Sequence, residues 1–377
     1  MDEKKLKVIT IVGTRPEIIR LSLVMKKLDT YTNHITVHTG QNYDYELNEI
    51  FYQDLGLRKP DYYLGIDTSS LGRALGETLM KVEDVFLKEK PDAVLILGDT
   101  NASIAAVLAK RMHIPIYHME AGNRSFDLNV PEEINRRIID HLADFNLPYT
   151  ENSRTHLLTE GLPHRRIYVS GSPMFEILTH YRDKIENSSI LKNLNLQSQN
   201  YFLVSAHREE NVDNPDNLHK IVAVLNALAE EYKVHVIVST HPRTRNRLDS
   251  LADMILNSSV QFLKPFGFFD YNFLQMNAIC TISDSGTISE ESAILNFPAV
   301  TIRNSMERPE AIDAGSIVLA GLTTERVLDA VRLVVDEYKK STHREICPEY
   351  LVTNTSSRVV RLLLGTASLS NKWWGIV

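Results

Sequence analysis

The sequence predicts an α/β protein made of two doubly wound, parallel-sheet halves. Three observations lead there. Short β-rich apolar runs alternate with helical patterns along the whole chain. The series restarts midway, after a polar stretch rich in Asn, Ser and Gln at 183–200, which reads as an interdomain connection. No short repeat or low-complexity tract is present, so a solenoid is excluded. The 377 residues amount to roughly two to three domains.

The elements follow in order. Strand candidates of the first half are 8–12, 35–38, 93–97 and 114–118, with helices at 17–28, 75–87 and 104–111. The second half offers strands at 201–205, 234–239, 279–283 and 299–302. A helix is expected near the C-terminus, where Val359, Val360, Leu362, Leu363 and Leu364 mark a face to bury. The tail Asn371-Lys372-Trp373-Trp374-Gly375-Ile376-Val377 is apolar for a chain end. It packs either on its own molecule or on a neighbour.

Ligands in doubly wound sheets bind at the carboxyl ends of strands, which turns strand ends into a filter. After 8–12 comes Gly13-Thr14-Arg15-Pro16, a tight turn into a helix. Arg15 there faces the positive end of the helix dipole, a place for an anion or for a plain surface arginine. Other polar clusters follow strands at Gly98-Asp99-Thr100-Asn101, at 118–124, at Ala206-His207-Arg208 and at Asp284-Ser285-Gly286-Thr287. Together they would ring one cleft. The stretch Pro131-Glu132-Glu133-Ile134-Asn135-Arg136-Arg137 suits a helix with Glu132/Arg136 and Glu133/Arg137 ion pairs. His207 is a site candidate, whereas His34, His164 and His343 fall in polar loops and read as solvated.

Other classes are excluded. There is no Walker A or G-x-G-x-x-G pattern, so neither that nucleotide loop nor a dinucleotide is implied. Net charge is −7, which argues against nucleic acid. The two cysteines, Cys280 and Cys347, are too few for a disulfide scaffold and too far apart for a metal knuckle. No H-E-x-x-H or close His/Cys cluster points to a metal. Apolar runs are of strand length, and no signal peptide or membrane span is expected, so the default compartment is the cytoplasm.

The ordered set Gly13-Thr14-Arg15-Pro16-Glu17, His38-Thr39-Gly40-Gln41, Gly98-Asp99-Thr100, Glu120-Ala121-Gly122-Asn123-Arg124, Pro131-Glu132-Glu133-Ile134-Asn135-Arg136, Asp284-Ser285-Gly286 with Glu290-Glu291, and Glu307-Arg308-Pro309-Glu310 resembles the non-hydrolysing UDP-N-acetylglucosamine 2-epimerase family. The resemblance runs from about Lys7 to Leu364. It implies a GT-B fold with an interdomain cleft: a Rossmann-like domain over 1–182, a UDP-binding one over 183–355, and a C-terminal helix, 356–377, returning to the first. It also implies cofactor-free epimerisation at C2 of a UDP-2-acetamido sugar, by elimination of UDP and its re-addition to a 2-acetamidoglycal, in a homodimer. Asp99, Glu120 and Glu132 match the catalytic carboxylates, and Arg15 and His207 match groups at the diphosphate. Ser285 and Gly286 match the backbone anion site, Glu291 the ribose carboxylate and Tyr271 the neighbourhood of uracil. For Arg308 either a substrate contact or a structural ion pair fits.

Three departures carry a finer expectation: Asn42 after Gln41, Gly171-Ser172-Pro173-Met174-Phe175-Glu176, and Ser205-Ala206-His207-Arg208-Glu209-Glu210-Asn211. They resemble the branch acting on UDP-2-acetamido-2,6-dideoxy-L-talose, which supplies UDP-N-acetyl-L-fucosamine for capsule or O-antigen. The first also puts in question an allosteric UDP-sugar site. The alternatives are a UDP-GlcNAc/UDP-ManNAc 2-epimerase, a hydrolysing epimerase, a GT-B glycosyltransferase and a nucleotide-sugar sensor.

Overall fold

The computed structural model describes residues 5–40, 45–240, 244, 247, 255–304, 306–340 and 345–376. The chain forms two compact units, Met1–Thr179 with Pro348–Val377, and His180–Cys347. The first holds strands β1 (Lys7–Val12), β2 (Asn33–His38), β3 (Tyr62–Tyr63), β4 (Ala93–Leu97), β5 (Ile116–Met119) and β6 (Phe145–Leu147). The second holds β7 (Tyr201–Ser205), β8 (His235–Ser239), β9 (Val260–Leu263), β10 (Thr281–Ser283), β11 (Ala299–Thr301) and β12 (Val318–Leu319). Each set forms a six-stranded parallel sheet, ordered β3-β2-β1-β4-β5-β6 and β12-β11-β10-β7-β8-β9. In both, strand order reverses between the first and fourth strands. Connections therefore leave in opposite directions between β1 and β4, and between β7 and β10, which opens a crevice at those carboxyl ends.

The central strands are buried on both faces, which is why they read as continuous apolar runs. Four strands escape that signal: β3 and β12 have two residues each, β6 has three, and β9 is only half-buried. The stretch 183–200 is not a bare connection. It carries the short helices Arg182–Glu186 and Ile190–Asn193, and Ile190, Leu191, Leu194 and Leu196 pack against Tyr201, Leu203, Ile237 and Leu274 of the second unit. Polar composition hid an apolar stripe spaced for a helix. His34 also departs from expectation. It lies on β2, buried, with Nε2 2.9 Å from Thr10 Oγ1 and Nδ1 2.6 Å from Asp29. His164 is exposed on a short turn of 3₁₀ helix, and His343 lies outside the described residues.

The C-terminal helix, Thr355–Trp373, packs on helix Arg15–Tyr31 of the first unit and buries Val359, Val360, Leu363 and Ala367. Its start is anchored by Glu176, which accepts from Ser356 N (2.8 Å) and Ser356 Oγ (2.5 Å). The tryptophan tail lies on its own unit. The buried Arg166 guanidinium is 4.1 Å from the Trp374 ring centre and 4.9 Å from that of Phe145, a stack that satisfies a charge with little access to water. Among the described residues no helix is long and apolar enough to cross a membrane.

Candidate active site

In the first unit the loops after β1, β4 and β5 are tied together by buried charges. Helix Arg15–Tyr31 starts at Arg15, with Pro16 in its first turn and Thr14 as N-cap. Glu17 accepts from Gly13 N (2.5 Å), Thr14 N (2.7 Å) and Thr100 Oγ1 (2.6 Å), so one buried carboxylate joins the loops after β1 and β4. Burial pushes its carboxyl up, against those hydrogen bonds. A Cβ at Gly13 would lie 2.7 Å from Thr39 Oγ1 and 2.9 Å from Ala102, which explains the glycine. The Arg15 guanidinium lies 5.7 Å from the Phe51 ring centre.

Asp99 follows β4 and Glu120 follows β5, on neighbouring strands paired through Leu97 and Met119. Asp99 Oδ2 accepts from Arg136 Nε (2.9 Å) and Nη2 (2.6 Å), and its backbone carbonyl accepts from Asn135 Nδ2 (2.9 Å). Glu120 has φ +66°, a left-handed conformation that a non-glycine residue adopts only under constraint from its surroundings. Its carboxylate pairs with Arg20, and both side chains are largely buried. Glu132 opens helix Pro131–Leu142, the same helix that presents Asn135 and Arg136 to Asp99. Its carboxylate makes no hydrogen bond or ion pair to a described residue. The expected Glu132/Arg136 pair does not form, because Arg136 turns inward to Asp99 and to Glu133 (2.9 Å). The Glu133/Arg137 pair does form, at 2.9 Å.

Beneath these residues lies a network not anticipated from the sequence. His118, fully buried on β5, has Nε2 2.9 Å from the Gly98 carbonyl and Nδ1 2.9 Å from Asp140 Oδ1. Nε2 hydrogen-bonds the carbonyl, while Nδ1 stands beside the carboxylate as an ion-pair contact rather than an aligned hydrogen bond. Burial opposes a charge on the ring, and the Asp140 carboxylate with the Gly98 carbonyl outweighs it, so the His118 pKa is raised. Asp140 also accepts from Arg124 Nη1 (2.7 Å) and Gly122 N (3.1 Å), and Arg124 grips Glu160 at 2.8 and 2.6 Å. Gly122 has φ +81°, and a Cβ there would lie 2.2 Å from the Ser153 carbonyl oxygen.

The second unit repeats the plan at its own reversal point. Asp284, buried after β10, accepts from His207 N (3.0 Å), Arg208 N (3.0 Å) and Asn211 Nδ2 (2.9 Å), and lies 3.1 Å from His207 Nδ1. Burial works against ionisation, but the His207 ring and these donors hold the Asp284 carboxyl down at about 2. Asp284 therefore orients the exposed His207 ring through Nδ1. Ser285 and Gly286 form the turn into helix Ile288–Leu295; Ser285 N donates to Ser283 Oγ (3.0 Å) and Ser285 Oγ lies 2.9 Å from Thr287 Oγ1. Glu291 on that helix accepts from Gln275 Nε2 (2.7 Å). Tyr271 lies on helix Phe268–Asn277; burial and the nearby Glu291 charge push its phenol up. Arg308 is buried against Glu290 at 2.7 Å.

Arg15, Asp99 and Glu120 stand at strand ends in the first unit, and His207, Ser285 and Gly286 in the second; Glu132, Tyr271 and Glu291 lie on helices and Arg308 in the segment after β11. Glu17, His118, Arg136, Asp140 and Asp284 hold them in place, a role that the sequence pattern alone does not give to any of the five. Gln41 and Asn42 lie outside the described residues. Among the described residues no group of three or more His, Cys, Asp or Glu could hold a metal ion.

A family model described as UDP-N-acetylglucosamine 2-epimerase matches residues 26–364. The chain belongs to the UDP-N-acetylglucosamine 2-epimerase family. A UDP-N-acetylglucosamine 2-epimerase of Methanococcus maripaludis is 38% identical over 328 residues, covering 85% of this chain and 89% of that protein. A structure of UDP-N-acetylglucosamine 2-epimerase from Rickettsia bellii superposes with a TM-score of 0.89 at 46% identity, covering 98% of this chain and 100% of the other. The Methanocaldococcus jannaschii UDP-GlcNAc 2-epimerase in complex with UDP-GlcNAc and UDP gives a TM-score of 0.87 at 34% identity, covering 96% and 100%. This 2-epimerase is accordingly an isomerase acting on a UDP-sugar, with two Rossmann-like units of the GT-B type.

Proposed function

We propose that the protein epimerises C2 of a UDP-2-acetamido sugar by eliminating UDP and adding it back. The observation that carries this reading is the set of three carboxylates at one end of the first sheet. Asp99 and Glu120 end adjacent strands, and Glu132 opens the helix that grips Asp99. In the forward step a carboxylate takes the C2 proton, the C1–O bond breaks with its electron pair going to UDP, and C1=C2 forms in a 2-acetamidoglycal. In the return step UDP oxygen attacks C1 while C2 receives a proton on the opposite face. Carboxylates supply the base, the acid and support for positive charge growing at C1. Arg15, His207 and the Ser285-Gly286 turn are assigned to the diphosphate, Glu291 to ribose and Tyr271 to the vicinity of uracil. Arg308, committed to Glu290, is assigned to shaping the helix that carries Glu291.

For the sugar, the resemblance of Ser205–Asn211 and Gly171–Glu176 supports UDP-2-acetamido-2,6-dideoxy-L-talose, with UDP-N-acetyl-L-fucosamine as product. A second reading, UDP-GlcNAc to UDP-ManNAc, is favoured by the names of the relatives. It is also favoured by the work that 171–176 does in the fold: a Cβ at Gly171 would lie 2.4 Å from Val352, and Glu176 anchors the C-terminal helix. Incubation of both UDP-sugars in deuterated water tests the whole reading. The expected result is deuterium at C2 with UDP retained; free sugar, or transfer to an acceptor, would overturn it. A specificity constant higher for UDP-GlcNAc than for the 6-deoxy-L-talo sugar selects the second reading.

A homodimer formed through the first unit completes the proposal. Exposed Met80 and Leu87 on helix Leu71–Glu89, and exposed Ile134 and Ile138 on helix Pro131–Leu142, offer apolar surface on two helices of that unit. Light scattering is expected to report twice the 42.9 kDa chain mass, and charged substitutions at Met80 and Leu87 to shift it to monomer. A monomeric wild type would refute the dimer.

A further inference from the structure

Arg303 is a buried cation that the reaction scheme above does not use. It follows β11, and only 2% of it is exposed. Its Nη2 lies 2.5 Å from Glu307 Oε2, yet among the described residues Nε and Nη1 have no hydrogen-bond partner. Arg166, also buried, lacks an acceptor at Nε alone and stacks its guanidinium on Phe145 and Trp374. Arg124 and Arg136 have acceptors at Nε, Nη1 and Nη2 alike. An unsatisfied donor on a buried charged group carries a larger penalty than a neutral one, so the open donors call for an acceptor.

The position of Nη1 says which acceptor. A Cβ built on Gly286 would meet three atoms: Glu307 Oε1 at 3.0 Å, Arg303 Nη1 at 3.8 Å and Arg208 Nη2 at 3.9 Å. The open donor therefore lies against the turn that leads into helix Ile288–Leu295. Two guanidiniums flank that turn and share one carboxylate. Arg208 is itself fixed, its Nε donating to the Asp284 carbonyl (3.0 Å) and its Nη2 to Glu307 Oε1 (3.4 Å). One negative charge cannot saturate two forks, and a phosphate oxygen seated on the turn would supply the missing acceptor with the right charge.

We propose that Arg303 is a substrate-binding residue whose Nη1 donates to a phosphate oxygen of the nucleoside diphosphate on the Ser285-Gly286 turn, with Glu307 fixing the guanidinium for that contact. The proposal rests on the assignment of that turn to the diphosphate. It adds a buried cation to the leaving-group site, where stabilising the charge that develops on the diphosphate in the transition state lowers the barrier in both directions.

Calorimetric titration of UDP and of uridine into the wild type, Arg303→Met and Arg303→Lys tests it. UDP affinity is expected to fall about 10- to 100-fold in Arg303→Met, the scale of a lost charge-assisted hydrogen bond, and less in Arg303→Lys. Uridine affinity is expected to stay unchanged in both. Equal losses for UDP and uridine, or unchanged UDP affinity, would overturn the proposal. If Arg303→Met does not fold, nitrogen NMR of labelled arginines in the wild type replaces it. The signal absent from Arg303→Lys should move on adding UDP and not on adding uridine; a signal that stays put overturns the proposal. The two readings fail differently. A wild type that does not prefer UDP over uridine removes the diphosphate assignment and Arg303 with it, whereas an undiminished preference in Arg303→Met removes Arg303 alone.

Discussion

Asp99→Asn, Glu120→Gln and Glu132→Gln are each expected to lower turnover by about two orders of magnitude or more, the scale of a lost general acid or base. UDP affinity should change far less. The three variants differ in what else they disturb. Asp99→Asn weakens a two-pronged Arg136 contact, so part of its effect comes from a shifted helix Pro131–Leu142. Glu120→Gln keeps the strained φ but loses the charge facing Arg20. The Glu132 carboxylate makes no hydrogen bond or ion pair to a described residue, so Glu132→Gln changes chemistry with little change in structure. It is the cleanest of the three. Single-turnover rates with a saturating UDP-sugar, alongside UDP titration, separate the effects. Near-normal turnover in all three variants would remove the carboxylate mechanism.

How much of this was legible in the sequence depends on where a residue's signal comes from. β1, β4, β5, β7 and β10 are buried along their length, and the residues just after them stand out because a strand end is a local pattern. Asp99, Glu120, His207 and Ser285 all belong to that class. The two short helices on 182–193 leave little signal because the leucines there are diluted by Asn and Ser, and they pack on Tyr201 and Leu274 from distant parts of the chain. Residues that act at long range left no mark. Glu17 looks like a first-turn acid of a helix, yet it joins two loops by accepting from Thr100. Arg136 fits an i,i+4 partner of Glu132 on spacing, and the fold gives it Asp99 instead, because a buried helix face and a strand end compete for the same guanidinium. Asp284 was visible as a polar residue after β10. Its task of orienting His207 needed β7 beside β10, a pairing that spacing along the chain does not specify.

Asp140→Asn is expected to destabilise the first unit by about 3–5 kcal/mol, the range for a buried ion pair that loses one partner. Asp140 is fully buried and faces two cations, His118 at 2.9 Å and Arg124 at 2.7 Å, besides the Gly122 amide. An amide keeps an oxygen for one of them and turns its own donors toward the other. The loss should also depend on pH in a definite sense. The His118 pKa is raised in the folded protein, so its stabilisation is complete below the ordinary histidine value of about 6.5 and is lost as pH climbs through the raised one. The Asp140 carboxyl is lowered, so its share is present above the ordinary aspartate value and is lost as pH falls through the lowered one. Without the carboxylate, burial drives His118 to the neutral form, and below about pH 6.5 folding must then expel a proton that the unfolded chain keeps. The deficit of Asp140→Asn should therefore be larger near about pH 5.5 than near about pH 8, with a remainder from Arg124 at both. Hydrogen exchange across Met1–Thr179 in wild type and variant at the two pH values reads this directly. An equal loss at both would show that His118 is not held as a cation, and a loss below ~1 kcal/mol would show that Asp140 is not the centre of the network.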